Sequence, residues 1–146
     1  LRAKQPQYCL AWDDIHQMLY SGQRDGMINV WSLRQSKPVG FLGVNTDVQA
    51  SVMQGNAFMK AARPTEEEQP LYQSTASSSG VGHKDIVTEL LMLPKLQYLA
   101  SCSLDKKVIL WDTITGEQKR VYLEHTMGVV SLTFNSEHIL LFSAGF

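Results

Sequence analysis

His83, Ser101 and Asp105 are the residue types of a hydrolytic triad: a hydroxyl to attack, an imidazole to take its proton and a carboxylate to orient the ring. That chemistry also needs the serine on an exposed elbow beside an oxyanion hole, and the chain has no Gly-x-Ser-x-Gly. His16 and His138 stand near Asp13, Asp14 and Glu137 in turn-like stretches, but such scattered positions do not assemble a metal site. The glycine-containing stretches GQRDG and SSSGVG lack the strand–loop–helix setting of a phosphate loop, so no metal and no cofactor is expected. Cys9 and Cys102 lie far apart in apolar segments, without metal-ligand spacing. They read as buried thiols in a reducing compartment, with a disulfide between them as the alternative.

The bounds on function are narrow. A chain of 146 residues suffices for one ordinary domain with a core, or for part of a larger one. Its formal net charge of −1 gives no basic footprint for nucleic acid, and its aromatic residues are not interleaved with basic ones. No apolar run approaches the roughly 20 residues that cross a bilayer, and no signal-peptide pattern opens the chain, so neither nucleic-acid binding nor membrane insertion is expected. The first residue is not methionine and the last five are FSAGF, the pattern expected of a piece of something longer.

The elements that position these residues come from an internal repeat. Trp31 stands 80 positions before Trp111, and a shift of 80 also lays Leu10 on Leu90, Leu19 on Leu99, Ser21 on Ser101, Asp25 on Asp105 and Ile28 on Val108. A shift of 42 lays His83 on His125, Leu90 on Leu132, Leu99 on Leu141 and Ser101 on Ser143. The shorter spacing falls in the period of four-stranded propeller blades.

Each copy reads as strands. IVTELLML runs into Pro94, which cannot continue a ladder; QYLASCS and KVILW follow it. Asp25-Gly26, and less ideally Asp105-Lys106, are placed as two-residue hairpin turns. EQKRVYL, Glu117 to Leu123, alternates charged and apolar residues as an exposed outer strand does. Val108-Ile109-Leu110-Trp111 is apolar on both faces, which suits a strand covered from both sides.

The segment from Gly82 to Gly116 resembles a complete WD repeat of a β-propeller, with Gly82-His83 opening it, Trp111-Asp112 closing it, and Val87, Leu90, Pro94, Leu99, Ser101 and Asp105 between. The first copy is looser: it ends Trp31-Ser32 and has Ala3 at the histidine position. The third opens Glu124-His125 and reaches Phe146. The resemblance implies an all-β fold of two to three consecutive four-stranded blades in a partial ring. Residues 1–43 form one blade, 44–81 an insert, 82–123 a complete blade and 124–146 the start of another. It also implies that His83, Ser101, Asp105 and Trp111 form a structural network, matched in part by Ser21, Asp25 and Trp31 and by His125 and Ser143. Trp12 is expected to point into the blade core.

The insert carries RPTEEEQP and STASSSG, polar stretches expected to form a largely unstructured loop. Its earlier part, residues 44–62, reads as loop, short helix or a degenerate blade. Thr65 followed by Glu66, Glu67 and Glu68 is similar to an acid-directed kinase site, and Ser77, Ser78 and Ser79 offer further hydroxyls.

The family resemblance implies a non-catalytic scaffold for protein or peptide partners, cytoplasmic or associated with the cilium or cytoskeleton, with the remaining blades outside this chain. Fold alone does not specify function. The alternatives are an architectural part of a large assembly, such as a ciliary one, and the targeting module of an enzyme. The partner face of that family maps here to Arg24, Lys84, Asp85, Ile86, Leu104, Lys106, Thr126 and Met127.

Overall fold

The computed structural model describes residues 5–34, 38–43 and 82–146. The Ala3 position, the insert 44–81 and its Thr65 and Ser77–Ser79 hydroxyls lie outside them. Among the described residues, ten strands form three antiparallel sheets. The first contains β1 (Gln7–Asp13), β2 (Met18–Gln23), β3 (Ile28–Ser32) and β4 (Pro38–Leu42), in chain order. The second repeats that order with β5 (Val87–Leu93), β6 (Tyr98–Ser103), β7 (Val108–Asp112) and β8 (Gln118–Tyr122). The third pairs β9 (Val129–Asn135) with β10 (Leu140–Gly145).

The repeat is visible in the backbone as well as in the side chains. Leu19 pairs with Trp31 and Leu99 with Trp111, and the inner strands of both four-stranded sheets bulge at the same place, between Gln7 and Cys9 and between Val87 and Glu89. The turn after each inner strand has its left-handed residue at Gln17, Gln97 and Ile139, with φ of 55°, 54° and 55°. These residues are again 80 and 42 positions apart. Three different chemistries make that turn. Asp13 Oδ1 accepts the N–H groups of Ile15 and His16, and Asn135 Oδ1 those of Glu137 and His138. In the second sheet Leu93 holds that position and Pro94, one residue on, starts a 3-10 turn over Pro94–Leu96 instead.

Packing between sheets explains the doubly apolar run of β7. Ile109 and Trp111 face the first sheet and pack in one core with Ala11, Tyr20, Ile28, Val30 and Leu42. Val108 turns the other way, into a second core with Leu93, Ala100, Cys102, Val129 and Leu132. Successive side chains of a strand point to opposite faces, so a strand between two cores must be apolar throughout. The first and second sheets approach closely at Gly22, where any Cβ would lie 2.7 Å from the Cβ of Val87. The inner strands are sheet edges with unpaired backbone groups, and neighbouring side chains satisfy several of these. Cys9 Sγ donates to the Val87 carbonyl at 3.3 Å, Thr88 Oγ1 donates to the Val129 carbonyl at 2.6 Å, and Glu89 accepts the Leu132 N–H.

Cys9 and Ala11 pack against the second sheet, so Trp12 lies with Leu10 on the other face of β1, outside the two cores formed by the described residues, and is 37% exposed. Leu90 and Met92 hold the equivalent face of β5 and are covered there by the first sheet. Both cysteines are free thiols, Cys9 half-buried and Cys102 buried. Burial pushes the Cys9 thiol up to about 12 and raises Cys102 as well, which disfavours the nucleophilic thiolate at both.

Candidate functional site

The loop before β5 brings His83 over the end of its own sheet. Its Nδ1 lies 3.0 Å from Asp105 Oδ1, in the β6–β7 turn, and its Nε2 lies 2.8 Å from Ser101 Oγ on β6. With the ring proton assigned to Nδ1, facing the carboxylate, the serine hydroxyl donates to Nε2 and its oxygen accepts the indole N–H of Trp111 at 2.8 Å. The atoms are thus arranged as a triad would be, but the site is closed. His83, Ser101 and Trp111 are buried, and the indole already occupies the hydroxyl oxygen. A nucleophile enclosed in this way has no path to a substrate carbonyl.

The carboxylate also anchors two backbone segments, accepting Lys84 N–H on Oδ2 at 2.9 Å and Lys107 N–H on Oδ1 at 3.1 Å. Burial alone would raise the Asp105 pKa. Hydrogen bonds from the His83 ring and from the two backbone N–H groups outweigh burial and hold the carboxyl below its ordinary range. The constellation is a clasp that ties loop 82–86 to turn 103–107.

The first sheet holds its tryptophan differently. Trp31 Nε1 donates to Ser21 Oγ at 2.7 Å, and that hydroxyl donates to Gln7 Oε1 at 2.5 Å. Gln7 also receives Asn29 Nδ2 at 3.2 Å, leaving the buried Asn29 Oδ1 without a partner among the described residues. Gln7 reaches across from the inner strand and stands where histidine stands in the second sheet. Asp25 does not join this network among the described residues: it is exposed, and its Oδ1 accepts Met27 N–H at 3.2 Å. In the third sheet, His125 Nε2 and Ser143 Oγ are 2.7 Å apart. Sequence reasoning missed Gln7 and Asn29, because the repeat register puts Val87 and Ile109 at their positions.

Loops and turns at this end of the sheets are contiguous. Gly26, with φ of 85°, packs against the His83 carbonyl so closely that a Cβ would lie 2.3 Å from its oxygen. Leu104 N–H donates to the Ile86 carbonyl at 3.1 Å, and the Leu104 side chain packs on Gly128. Along the resulting rim Arg24, Lys84, Asp85, Lys106, Thr126 and Met127 are exposed, while Ile86 and Leu104 are half-buried. At the opposite end, His16 Nδ1 sits 2.6 Å from Oδ2 of the buried Asp13. Among the described residues no group of three His, Cys, Asp or Glu side chains is placed to hold a metal ion, and no helix is long and apolar enough to cross a membrane.

The WD domain, G-beta repeat family matches residues 3–32 and 75–112. Over 139 residues, 95% of the chain, the sequence is 38% identical to cilia- and flagella-associated protein 337 B of Tetrahymena thermophila. The chain spans only 8% of the length of that protein. Among solved structures, U3-55K superposes with a TM-score of 0.66 at 16% identity, and the RRP9 WD40 repeats with 0.65 at 17%. Each of these superpositions covers 98% of this chain and about a third of the other, 34% and 33%. With the repeated four-stranded sheets, the closing tryptophans and the family match together, the chain belongs to the WD-repeat family of β-propeller proteins.

Proposed function

We propose that this chain is part of a non-catalytic scaffold that holds a protein or peptide partner on the rim made by turns 23–27 and 103–107 and loops 82–86 and 124–128. WD repeats are generally interaction scaffolds. One observation carries the reading for this chain: the polar residues that resemble catalytic ones are enclosed and occupied with positioning that rim. Asp105 fastens Lys84 and Lys107, and Gly26 seats the first turn on His83. A preorganised rim loses little conformational entropy when a partner binds.

The apolar faces at the two outer sheets support further blades on either side. Leu10 is 62% and Phe142 53% exposed. A cavity of about 320 Å³ also opens between the second and third sheets, lined by residues including Tyr98, Leu110, Phe134 and Leu141. Such surface is rarely left to water.

Photo-crosslinkers placed at Lys106 and at Met127 of the full-length protein test this reading. It expects adducts mapping to one protein segment at both positions, and none from a probe at Ile114, at the other end of the sheets. Equal adducts from Ile114, or none at the rim, would overturn it. A ciliary location is the second reading, favoured by identity over 95% of the chain with a protein named as cilia- and flagella-associated. Imaging the tagged full-length protein in ciliated cells tests it, and exclusion from the cilium would reject it.

A further inference from the structure

Two carboxamides of the first sheet stand where the second sheet is apolar. Gln7 and Asn29 take the positions of Val87 and Ile109, both fully buried. Asn29 is itself only 2% exposed, and its Oδ1 has no partner among the described residues. An acceptor buried without a donor is expensive, and it calls for a physical reason.

The donor that Asn29 lacks is close by. Gln7 Oε1 already accepts Asn29 Nδ2 at 3.2 Å and the Ser21 hydroxyl at 2.5 Å. Two carboxamides that meet in this way can form a second bond, from the other N–H₂ group to the other oxygen. Gln7 Nε2 does not form it, because it donates to the Gln5 carbonyl at 2.6 Å. Exchanging the nitrogen and oxygen of Gln7 in place gives no relief, since two oxygens would then face each other at that distance. Nε2 can turn to Asn29 only as the Gln5 bond breaks.

The entry into β1 has little else to hold it. Gln5 and Pro6 are exposed, and among the described residues no other hydrogen bond fastens them. In the second sheet the loop before β5 is fastened several times over, by His83 on Asp105 and Ser101 and by Lys84 N–H on Asp105.

We infer that Gln7 is a two-position latch on the entry of the first blade. In one position Nε2 holds the Gln5 carbonyl, the entry is fastened, and Asn29 Oδ1 goes unpaired. In the other Nε2 meets Asn29 Oδ1, the carboxamide pair is complete, and water takes the exposed Gln5 carbonyl. Gln7 donates one hydrogen bond to the protein in either position, so releasing Gln5–Pro6 strands no buried group. Gln7 pairs with Gln23, where β2 leads into turn 23–27, which places the latch at the first-blade end of the rim. A partner that touches only the released entry would shift the latch towards release. That last consequence alone rests on the rim reading; the latch does not.

Fluorine NMR of the full-length protein without a partner, with trifluoromethyl-phenylalanine at position 5, tests the latch. The label replaces an exposed side chain and keeps the backbone carbonyl that Gln7 binds. Asn29→Leu removes the second position and should drive the signal to the fastened state. Gln7→Glu keeps an oxygen for Ser21 and Asn29 but has no N–H₂ group, and should drive the signal to the released state. The wild-type signal is expected between the two, either as one averaged line or as two lines. Asn29→Ile, which restores the residue type of the second sheet, serves in place of Asn29→Leu if the leucine variant does not fold. Signals that move in the same direction in both variants, or in neither, would overturn the inference. Loss of a merely structural hydrogen bond would loosen the entry in both.

Discussion

The first two blades have the same strand order, bulges and left-handed corners, yet they secure their tryptophans by different chemistry. In the second, His83 enters from the preceding loop and joins Ser101, Asp105 and Trp111, so loop, turn and sheet are one bonded unit. In the first, Gln7 enters from within β1 and binds Ser21 and Asn29, while Asp25 stays outside in water. What the blades share is the demand that a buried indole N–H and serine hydroxyl find partners. The residue that meets the demand is negotiable; tying the loop to the turn is an additional property, seen among the described residues at Asp105 of the second blade.

The largest expected effect falls on the shared element. Trp111→Ala removes a fully buried ring from the core between the two blades and should cost about 3–5 kcal/mol in urea unfolding of the intact propeller. Asp105→Ala comes next, at about 1–3 kcal/mol, since it leaves His83 and two backbone N–H groups without their acceptor. Acid should reproduce part of that loss. The Asp105 carboxyl lies below its ordinary 3.8 in the folded state, so its stabilisation is fully present above that value and disappears as pH falls through the lower, folded one. Denaturation curves from about pH 5 to pH 2 should therefore converge for wild type and Asp105→Ala; curves that stay parallel would remove the carboxylate from the clasp. Gln7→Ala should cost about 1 kcal/mol, because Ser21 and Asn29 lose their shared acceptor near the sheet edge. Asp25→Ala should stay within about 0.5 kcal/mol, as an exposed turn residue does. A large effect at Asp25, equal to that at Asp105, would erase the distinction between the blades.

Strand positions were legible because tryptophan, serine and turn aspartate recur at fixed spacing and because β7 had to satisfy two cores at once. The turns were partly legible: Pro94 and Gly26 announce themselves, but Gln17, Gln97 and Ile139 adopt the left-handed corner without being glycine or asparagine. Composition carries no sign of that; only the repeat register does. The surroundings of Trp12 were not legible, because alternation tells which residues share a face of β1, not which of the described sheets covers it. Gln7 was invisible for a related reason. Its role depends on a side chain crossing to the neighbouring strand, Gln7 to Ser21, and residues 14 positions apart in sequence give no spacing signal for such a contact.

The central claim is that a serine, a histidine and an aspartate in triad geometry serve as a clasp rather than a catalyst. Treating the folded full-length protein with a fluorophosphonate probe and mapping adducts by mass spectrometry tests it most directly. Ser101, buried and bonded on both sides, should stay unlabelled in the native protein. Labelling of native Ser101 that disappears in His83→Ala would contradict the account, because it would show both an open path to the hydroxyl and an imidazole that activates it.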